Sequence, residues 1–425
     1  MMIHLEKRIL ETAKHFGTPL FLYDLNVIQE KYQMIRKNLT RHCDIFYSVK
    51  ANPNLSVCEY IHQLGANCEI SSKNELLIAL KAGFRNHQII FVGPGKTSDD
   101  IAAAIQYKIK AIVCESLYEL YEINRIAKLQ KQKADVWIRI NPDFCANAAP
   151  IKMSGVASQF GIMVDEFKKN IRQIKECHHI QLTGLHIYNA SRILNAEAIT
   201  ENIGNILNLA ESLSTLFRIS WKYVDFGGGF GIPYFENESE LPTHKLLHNI
   251  NVLIHQYLLR MPKTRFILEM GRFLVADSGC LVSRVIHVKE SHQKKYIILD
   301  SGMHCCFAAT GLGSFVHRNF PSKIISEQKQ YDLHFYEYQV AGSLCTPGDL
   351  LLKNVKMQRV FQGDLLLLLK TGAYGLTASP NRFLSHGAPA EVVFYKNQFC
   401  LSRRRETIQD LLSTQYSLNN TVLFS

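Results

Sequence analysis

Asp44-Ile45-Phe46-Tyr47-Ser48-Val49-Lys50-Ala51-Asn52-Pro53-Asn54 is a short apolar strand pattern that runs into a lysine and is stopped by an Asn-Pro-Asn turn. The same texture recurs at 66–70, 88–92, 111–114, 136–140, 182–187, 223–226 and 265–268. Between most of these runs lie amphipathic helical patterns, for example at 73–82 and 116–128. Eight strands in β/α alternation predict an α/β fold built on a TIM-type (β/α)8 barrel, with its chemistry at the carboxyl ends of the strands. Lys50, Glu69, His186, Gly227 and Glu269 all fall at or near such ends.

Past about residue 275 the texture changes to β-type runs at 280–288, 296–299 and 365–370, with few long helical periods. The expected organisation is a barrel over 25–275 and a C-terminal all-β domain, sandwich or barrel-like, completed by 1–24 and spanning 276–425. No internal repeat or low-complexity linker marks the junction.

A chain of 425 residues is long enough for two domains, and its 47% hydrophobic content is that of an ordinary globular protein. No run of about eighteen uncharged apolar residues is present. The amino terminus, with His4, Glu6, Lys7 and Arg8, lacks the apolar core of a signal peptide. A soluble, cytoplasmic protein is expected. The eleven cysteines show no C-x-x-C pair, and an odd number cannot all pair within one chain, so free thiols in a reducing compartment are expected. His304-Cys305-Cys306 raises a metal site, but no second ligand cluster accompanies it and no metal is expected. The net charge of +11 suits an anionic partner. The basic residues are dispersed, without the aromatic interleaving of a nucleic-acid binder. Arg403-Arg404-Arg405, followed by Glu406 and an amphipathic segment ending in Leu412, reads as a solvated helix start rather than a docking patch.

Lys50 at a strand end would be rigid yet open to a cleft, and burial near another cation would make its amine nucleophilic, as a Schiff-base lysine requires. Taken alone, it reads as a surface lysine. Asp225-Phe226-Gly227-Gly228-Gly229-Phe230-Gly231 follows a strand; consecutive glycines let backbone amides approach a phosphate, although a lone Gly run is more often a tight turn. Glu269-Met270-Gly271-Arg272 places a carboxylate and a guanidinium after another strand, fit for a protonated ring nitrogen and an anion, or for a structural ion pair. In Gly342-Ser343-Leu344-Cys345-Thr346-Pro347-Gly348-Asp349 and Gly372-Ala373-Tyr374-Gly375, a thiol can donate a proton and a phenol can bind phosphate. Singly, these too read as core residues.

Together the motifs YSVKANPN, ISSKNEL, DFGGGFG, EMGR, GSLCTPGD and GAYG occur in the order and approximate spacing of the fold-type III pyridoxal phosphate (PLP) decarboxylases. The chain resembles the diaminopimelate/ornithine decarboxylase family over nearly its full length. The resemblance implies that Lys50 forms the internal aldimine with PLP and that Glu269 pairs with the pyridine nitrogen. It implies that Gly227, Gly228, Gly229, Arg272 and Tyr374 hold the phosphate, with Glu69, Tyr188 and Ser191 completing the cofactor pocket. It further implies a head-to-tail homodimer in which Cys345 reaches the partner's site. The implied reaction is decarboxylation of an L-amino acid through an external aldimine and quinonoid, with Cys345 or the freed Lys50 returning the proton. Glutamate rather than arginine at 269 keeps the ring nitrogen protonated and favours decarboxylation over racemisation.

Three departures from the family pattern bear on substrate. Relatives that decarboxylate diaminopimelate or ornithine carry an acidic residue directly after the interface cysteine; here it is Thr346, and a hydroxyl compensates a buried ammonium poorly. In Gly184-Leu185-His186-Ile187-Tyr188-Asn189-Ala190-Ser191, the histidine that stacks on the cofactor is replaced by Tyr188, which can still cover a ring face. His186 holds a position that is histidine in diaminopimelate decarboxylases, or is a core histidine. The Arg-Pro stretch expected after Asp300-Ser301-Gly302-Met303 is absent; the text reads His304-Cys305-Cys306-Phe307-Ala308-Ala309-Thr310-Gly311 and then Val316-His317-Arg318-Asn319-Phe320-Pro321. With Ser379-Pro380-Asn381-Arg382-Phe383-Leu384-Ser385-His386, this is similar to the subgroup of the butirosin-type glutamyl-carrier-protein and exosortase-associated decarboxylases. The resemblance therefore points away from a free diamino acid and toward a substrate such as a glutamyl group tethered to an acyl carrier protein. Lys152 and Arg318 are candidates for its carboxylate or phosphopantetheine, or ordinary surface cations. Diaminopimelate decarboxylation is the first alternative and a silent regulatory homologue the second; joint retention of Lys50, Glu269, Cys345 and Tyr374 argues against the latter.

Overall fold

The strand that precedes Lys50, Cys43–Ser48 (β1), is one of eight parallel strands that close on one another. The others are Asn67–Ile70 (β2), Ile89–Phe91 (β3), Ala111–Cys114 (β4), Ala134–Asn141 (β5), Ile180–His186 (β6), Tyr223–Asp225 (β7) and Arg265–Met270 (β8). The structure is a computed structural model in which residues 6–145, 151–312, 317–326 and 334–418 are described. Val316 lies outside them, as does the side chain of Lys152. Neighbouring strands follow chain order from β1 to β8, and β8 closes the ring on β1, with Leu268 opposite Ile45. All the strands expected from the sequence form, as does the barrel they predict.

Most of the helices that follow the strands carry a polar start signal, although Val164–Lys175 and Thr243–Leu258 begin without a side-chain cap. Ser72 accepts the Glu75 amide ahead of Lys73–Lys81, and Ser116 accepts the Glu119 amide ahead of Leu117–Leu129. Thr97 and Asp100 form a reciprocal capping box at the start of Ser98–Gln106. The barrel is filled by Phe46, Ile90, Val92, Ala111, Val113, Trp137 and Ile267, all buried. Trp137 stacks on Tyr223 with centroids 5.0 Å apart, and Gly184 makes room for it: a Cβ there would come within 2.6 Å of the indole. With the lumen packed, substrate chemistry is left to the strand ends.

Residues 28–274 make one compact unit; the segments up to 27 and from 275 make the other. The second unit is organised around a nine-stranded sheet among the described residues. Its long strand Gly279–Ser291 pairs with Lys294–Leu299, Leu365–Leu369 and Leu20–Asp24. Leu20–Asp24 lies antiparallel to Gly279–Ser291 on one side and parallel to Ala390–Tyr395 on the other. The helix Glu6–Phe16 sends Ile9 and Ala13 into the same core, against Leu22, Val282, Leu367 and Val392.

The basic run near the carboxyl end requires a correction. Arg403 does not begin a helix: it closes the strand Gln398–Arg403, where register sets it opposite Glu391, and their side chains meet at 2.5 Å. Arg404 pairs with Asp410, and the short helix Ile408–Leu412 starts only after Thr407, whose hydroxyl accepts the Asp410 amide. Cross-strand pairing and the capping box outweigh the helical pattern that the arginines suggested. No helix among the described residues is long and apolar enough to cross a membrane.

Candidate active site

The carboxyl ends of the barrel strands gather charge that the apolar lumen excludes. Ser48 ends β1, and the single turn Val49–Ala51 lifts Lys50 above it. The Lys50 Nζ lies 2.8 and 2.7 Å from the two oxygens of Glu69, the penultimate residue of β2, whose side chain is fully buried. Ser71 Oγ donates to the same carboxylate at 3.0 Å, and the Ser71 amide donates to Glu75 at 2.6 Å. Burial first, and then the charge of Glu69, push the Glu75 carboxyl up to about 7.

Across the mouth, His186 ends β6, Asp225 ends β7 and Glu269 lies near the end of β8. His186 Nε2 is 3.3 Å from Glu269 Oε1, and both residues are buried. Burial pushes the Glu269 carboxyl up, but His186, Lys50 and Arg139 outweigh it and hold the group below the usual carboxylate range. Burial and then the Glu269 charge push Asp225 the other way, well above that range. Arg139, near the end of β5, pairs with Glu115 at 2.9 Å and lies over the Phe160 ring.

After β7 the chain passes through Gly227 and Gly229 at φ +63° and +102°. Added Cβ atoms would come within 2.6 Å of the Tyr188 ring at Gly227, 2.3 Å of the Glu269 carbonyl oxygen at Gly228 and 2.4 Å of the Ala190 carbonyl oxygen at Gly229. Glycine is therefore required by space at all three positions and by conformation at two. Tyr188 leans on this loop and its hydroxyl bonds Ser191. Arg272, first residue of the helical turn Arg272–Val275, donates to the Tyr234 hydroxyl at 2.9 Å, and Arg192 lies 5.1 Å over the same ring while pairing with Glu238.

The barrel unit thus holds Lys50, Glu69, His186, Tyr188, Ser191, Gly227, Gly228, Gly229, Glu269 and Arg272. Cys345, Thr346, Tyr374 and Arg318 belong to the β unit. There, Cys345 is exposed at the start of a turn in which Thr346 Oγ1 accepts the Gly348 amide at 3.4 Å. Tyr374 takes a left-handed conformation, φ +55°, in the turn after Leu365–Leu369. His304 stacks on His386 with centroids 4.3 Å apart, and burial pushes the Cys306 thiol up to about 12 and that of Cys305 higher still. Sequence reasoning left Glu75, Arg139, Arg192, Asp225 and Tyr234 without roles. An arginine inside the apolar run Val136-Trp137-Ile138-Arg139-Ile140 was the one signal available for Arg139.

An amine on a strand end, a buried carboxylate opposite it, a loop where no Cβ fits and a guanidinium beside that loop are the donor set that an aldehyde, a ring nitrogen and a phosphate require. The family model described as "Pyridoxal-dependent decarboxylase, pyridoxal binding domain" matches residues 25–276. The chain belongs to the pyridoxal-dependent decarboxylases. Its cofactor is pyridoxal 5'-phosphate and its reaction is that of a carboxy-lyase. It is 33% identical over 421 residues to the L-glutamyl-[BtrI acyl-carrier protein] decarboxylase of Niallia circulans, covering 99% of this chain and 98% of that one. It is 31% identical to the diaminopimelate decarboxylase of Aquifex aeolicus, covering 93% and 91%. Among solved structures, diaminopimelate decarboxylase from Helicobacter pylori complexed with L-lysine superposes on this decarboxylase with a TM-score of 0.85 at 28% identity, covering 95% of this chain and 98% of that one.

Proposed function

We propose that this decarboxylase removes the α-carboxyl group of an amino acid that has no distal ammonium, with a glutamyl group thioester-linked to an acyl carrier protein as the fitting substrate class. The observation that carries this reading is the state of the acids beside Cys345. Thr346 offers only a neutral hydroxyl. The one carboxylate in the segment, Asp349, is buried and committed: its oxygens accept the Met303 amide at 2.6 Å and the Leu344 amide at 2.8 Å. It is packed so closely that a Cβ on Gly302 or Gly342 would strike it. A substrate ammonium arriving there would lack a charge partner, at a cost of several kcal/mol. The name of the Niallia circulans relative supports the same class.

In this reading Lys50 is the attachment amine and Glu69 holds it in place. Glu269 keeps a proton on the ring nitrogen, while Tyr188 covers a ring face and Ser191 steadies the Tyr188 hydroxyl. The amides of Gly227, Gly228 and Gly229, with Arg272 and Tyr374, receive the phosphate. When bound, pyridoxal phosphate supplies the electron sink that accepts the pair left behind as carbon dioxide departs. Cys345 from the second copy of a head-to-tail homodimer, or Lys50, returns a proton to Cα. His186 orients Glu269, and Thr346 and Arg318 meet the substrate's distal end. The reading places the enzyme in the cytoplasm, a compartment suited to its eleven free cysteines.

The test is carbon dioxide release by the PLP-loaded protein from diaminopimelate, ornithine, lysine, arginine, glutamate and a glutamyl-pantetheine thioester. Release from the thioester alone is expected. Turnover of diaminopimelate would return the enzyme to the diamino-acid class.

A further inference from the structure

Behind Glu269 the barrel buries a second carboxylate with little to support its charge. His186, Asp225 and Glu269 each present a ligand-type atom, and all three atoms lie within 4.8 Å of one another. His186 and Asp225 are wholly inaccessible and Glu269 is 4% exposed. Two carboxylates this close in a buried site do not readily both ionise.

The surroundings decide which one keeps the charge. Glu269 has His186 Nε2 at 3.3 Å and feels Lys50 and Arg139. Among the described residues the Asp225 carboxyl has one hydrogen bond, from the neutral Gly227 amide to Oδ1 at 2.8 Å, and its buried Oδ2 meets no hydrogen-bonding partner. Of the other charges that reach Asp225, Glu69 opposes ionisation and Lys50 favours it. The Cys43 thiol nearby is itself held protonated by burial.

We propose that Asp225 is a neutral carboxylic acid beside Glu269, so that the two acids, packed with His186, carry a single negative charge between them, and that charge is always on Glu269, the carboxylate assigned to the cofactor ring. Asp225 and His186 are then positioning residues. The consequence is a charge that changes place: with Glu269 made neutral, Asp225 loses its repelling neighbour and ionises. The proposal rests on the reading of Glu269 as partner of the ring nitrogen.

The test uses pyridoxal phosphate affinity and the absorbance of the bound cofactor, neither of which needs a substrate. Asp225→Ala should weaken cofactor binding by roughly tenfold, and Asp225→Asn, which keeps the shape and the Gly227 contact, should restore it to within about threefold. In the Glu269→Gln background the same Asp225→Asn change should cost roughly tenfold more than it does alone. Infrared spectra of the apoprotein should contain a protonated-carboxyl band that Asp225→Asn removes and Glu75→Gln does not. If Asp225→Asn behaves like Asp225→Ala, or costs the same in both backgrounds, or leaves the infrared band in place, Asp225 is ionised and the proposal is wrong. If Glu269→Gln leaves the bound-cofactor spectrum unchanged, the reading of Glu269 fails first. Should Asp225→Asn not fold, the Glu75→Gln protein decides: a carboxyl band constant from about pH 6 to about pH 9 supports the proposal, and one already lost at about pH 6 overturns it.

Discussion

The amine of Lys50 sits between both oxygens of Glu69, at 2.8 and 2.7 Å, with the carboxylate fully buried and the lysine still partly open to the barrel mouth. A fork of this kind holds a flexible side chain in one place before any ligand arrives. Lys50→Ala should therefore abolish both the visible absorbance of bound cofactor and carbon dioxide release. Glu69→Gln should keep the absorbance and lower kcat by roughly 10- to 100-fold. Retention of the visible band in Lys50→Ala would remove Lys50 from its assigned place.

Gly228→Ala tests the proposal that the glycine loop after β7 receives the phosphate. The added methyl would stand 2.3 Å from the Glu269 carbonyl oxygen, and neither backbone can yield without moving the Glu269 side chain as well. Cofactor affinity should fall by at least about tenfold, with a loss of roughly 1–3 kcal/mol of stability from overpacking. Titration of the apoprotein with pyridoxal phosphate and a denaturant melt measure the two effects; a variant that matches the native protein in both would show that the loop has slack.

Thr346→Glu restores an acid where, in the proposed reading, a distal ammonium would arrive. Turnover of diaminopimelate should appear or rise at least about tenfold, and turnover of the glutamyl thioester should fall. A variant with the native preference would locate specificity elsewhere in the pocket.

Glu75 makes stability depend on pH. The unfolded chain releases the proton of this carboxyl near 4.5 and the folded chain near 7, so the folded state binds the extra proton within that window. The group costs nothing below about pH 4.5, its penalty grows as pH rises from about 4.5 to about 7, and it is complete above. Glu75→Gln keeps an acceptor for the Ser71 amide and should raise the melting temperature at pH 8 by roughly 2 °C, from on the order of 1 kcal/mol, with no gain at about pH 4.5. An equal gain at both pH values would point to packing instead.

His304 acts with the opposite slope. Burial first, and then the stacked His386, lower its pKa from 6.5 to about 4. The unfolded chain protonates first as pH falls, so stability is full above about 6.5 and is drained between 6.5 and about 4. His304→Phe keeps a ring on His386 and should flatten that acid limb in melts of the apoprotein. An unchanged slope would assign the acid sensitivity to another group.

The barrel was legible because its strands are local objects. A run such as Ala111–Cys114 is apolar, short and bounded by turn residues, and nothing distant is needed to read it. The positions of Lys50 and Glu269 were legible for a related reason, since both were expected at or near strand ends and the structure has them there. Pairings between remote positions carry no such mark: Arg139 with Glu115, Arg192 with Glu238 and the approach of Asp225 to Glu269 exist only once the strands close. Asp225 stood in a quoted motif without a role, because its burial beside another acid is a tertiary fact. Arg403 was misread because a run of arginines matches a helix start as well as a strand edge, and Glu391, which decides between them, lies in another strand. Leu20–Asp24 was placed in the β region without being seen as a strand for the same reason.

That strand also orders the birth of the molecule. Leu20 pairs with Val282 and with Ala390, so its neighbours are synthesised only after 262 and 370 further residues have been added. All five of its residues are buried in the finished sheet, which makes it an apolar edge with nothing to pair to while the ribosome works through the whole barrel. The barrel strands mostly meet partners next to them in sequence and can close during that wait. This sheet is thus completed only after the barrel has been made, and a chaperone that holds Leu20–Asp24 would be guarding a strand through that wait.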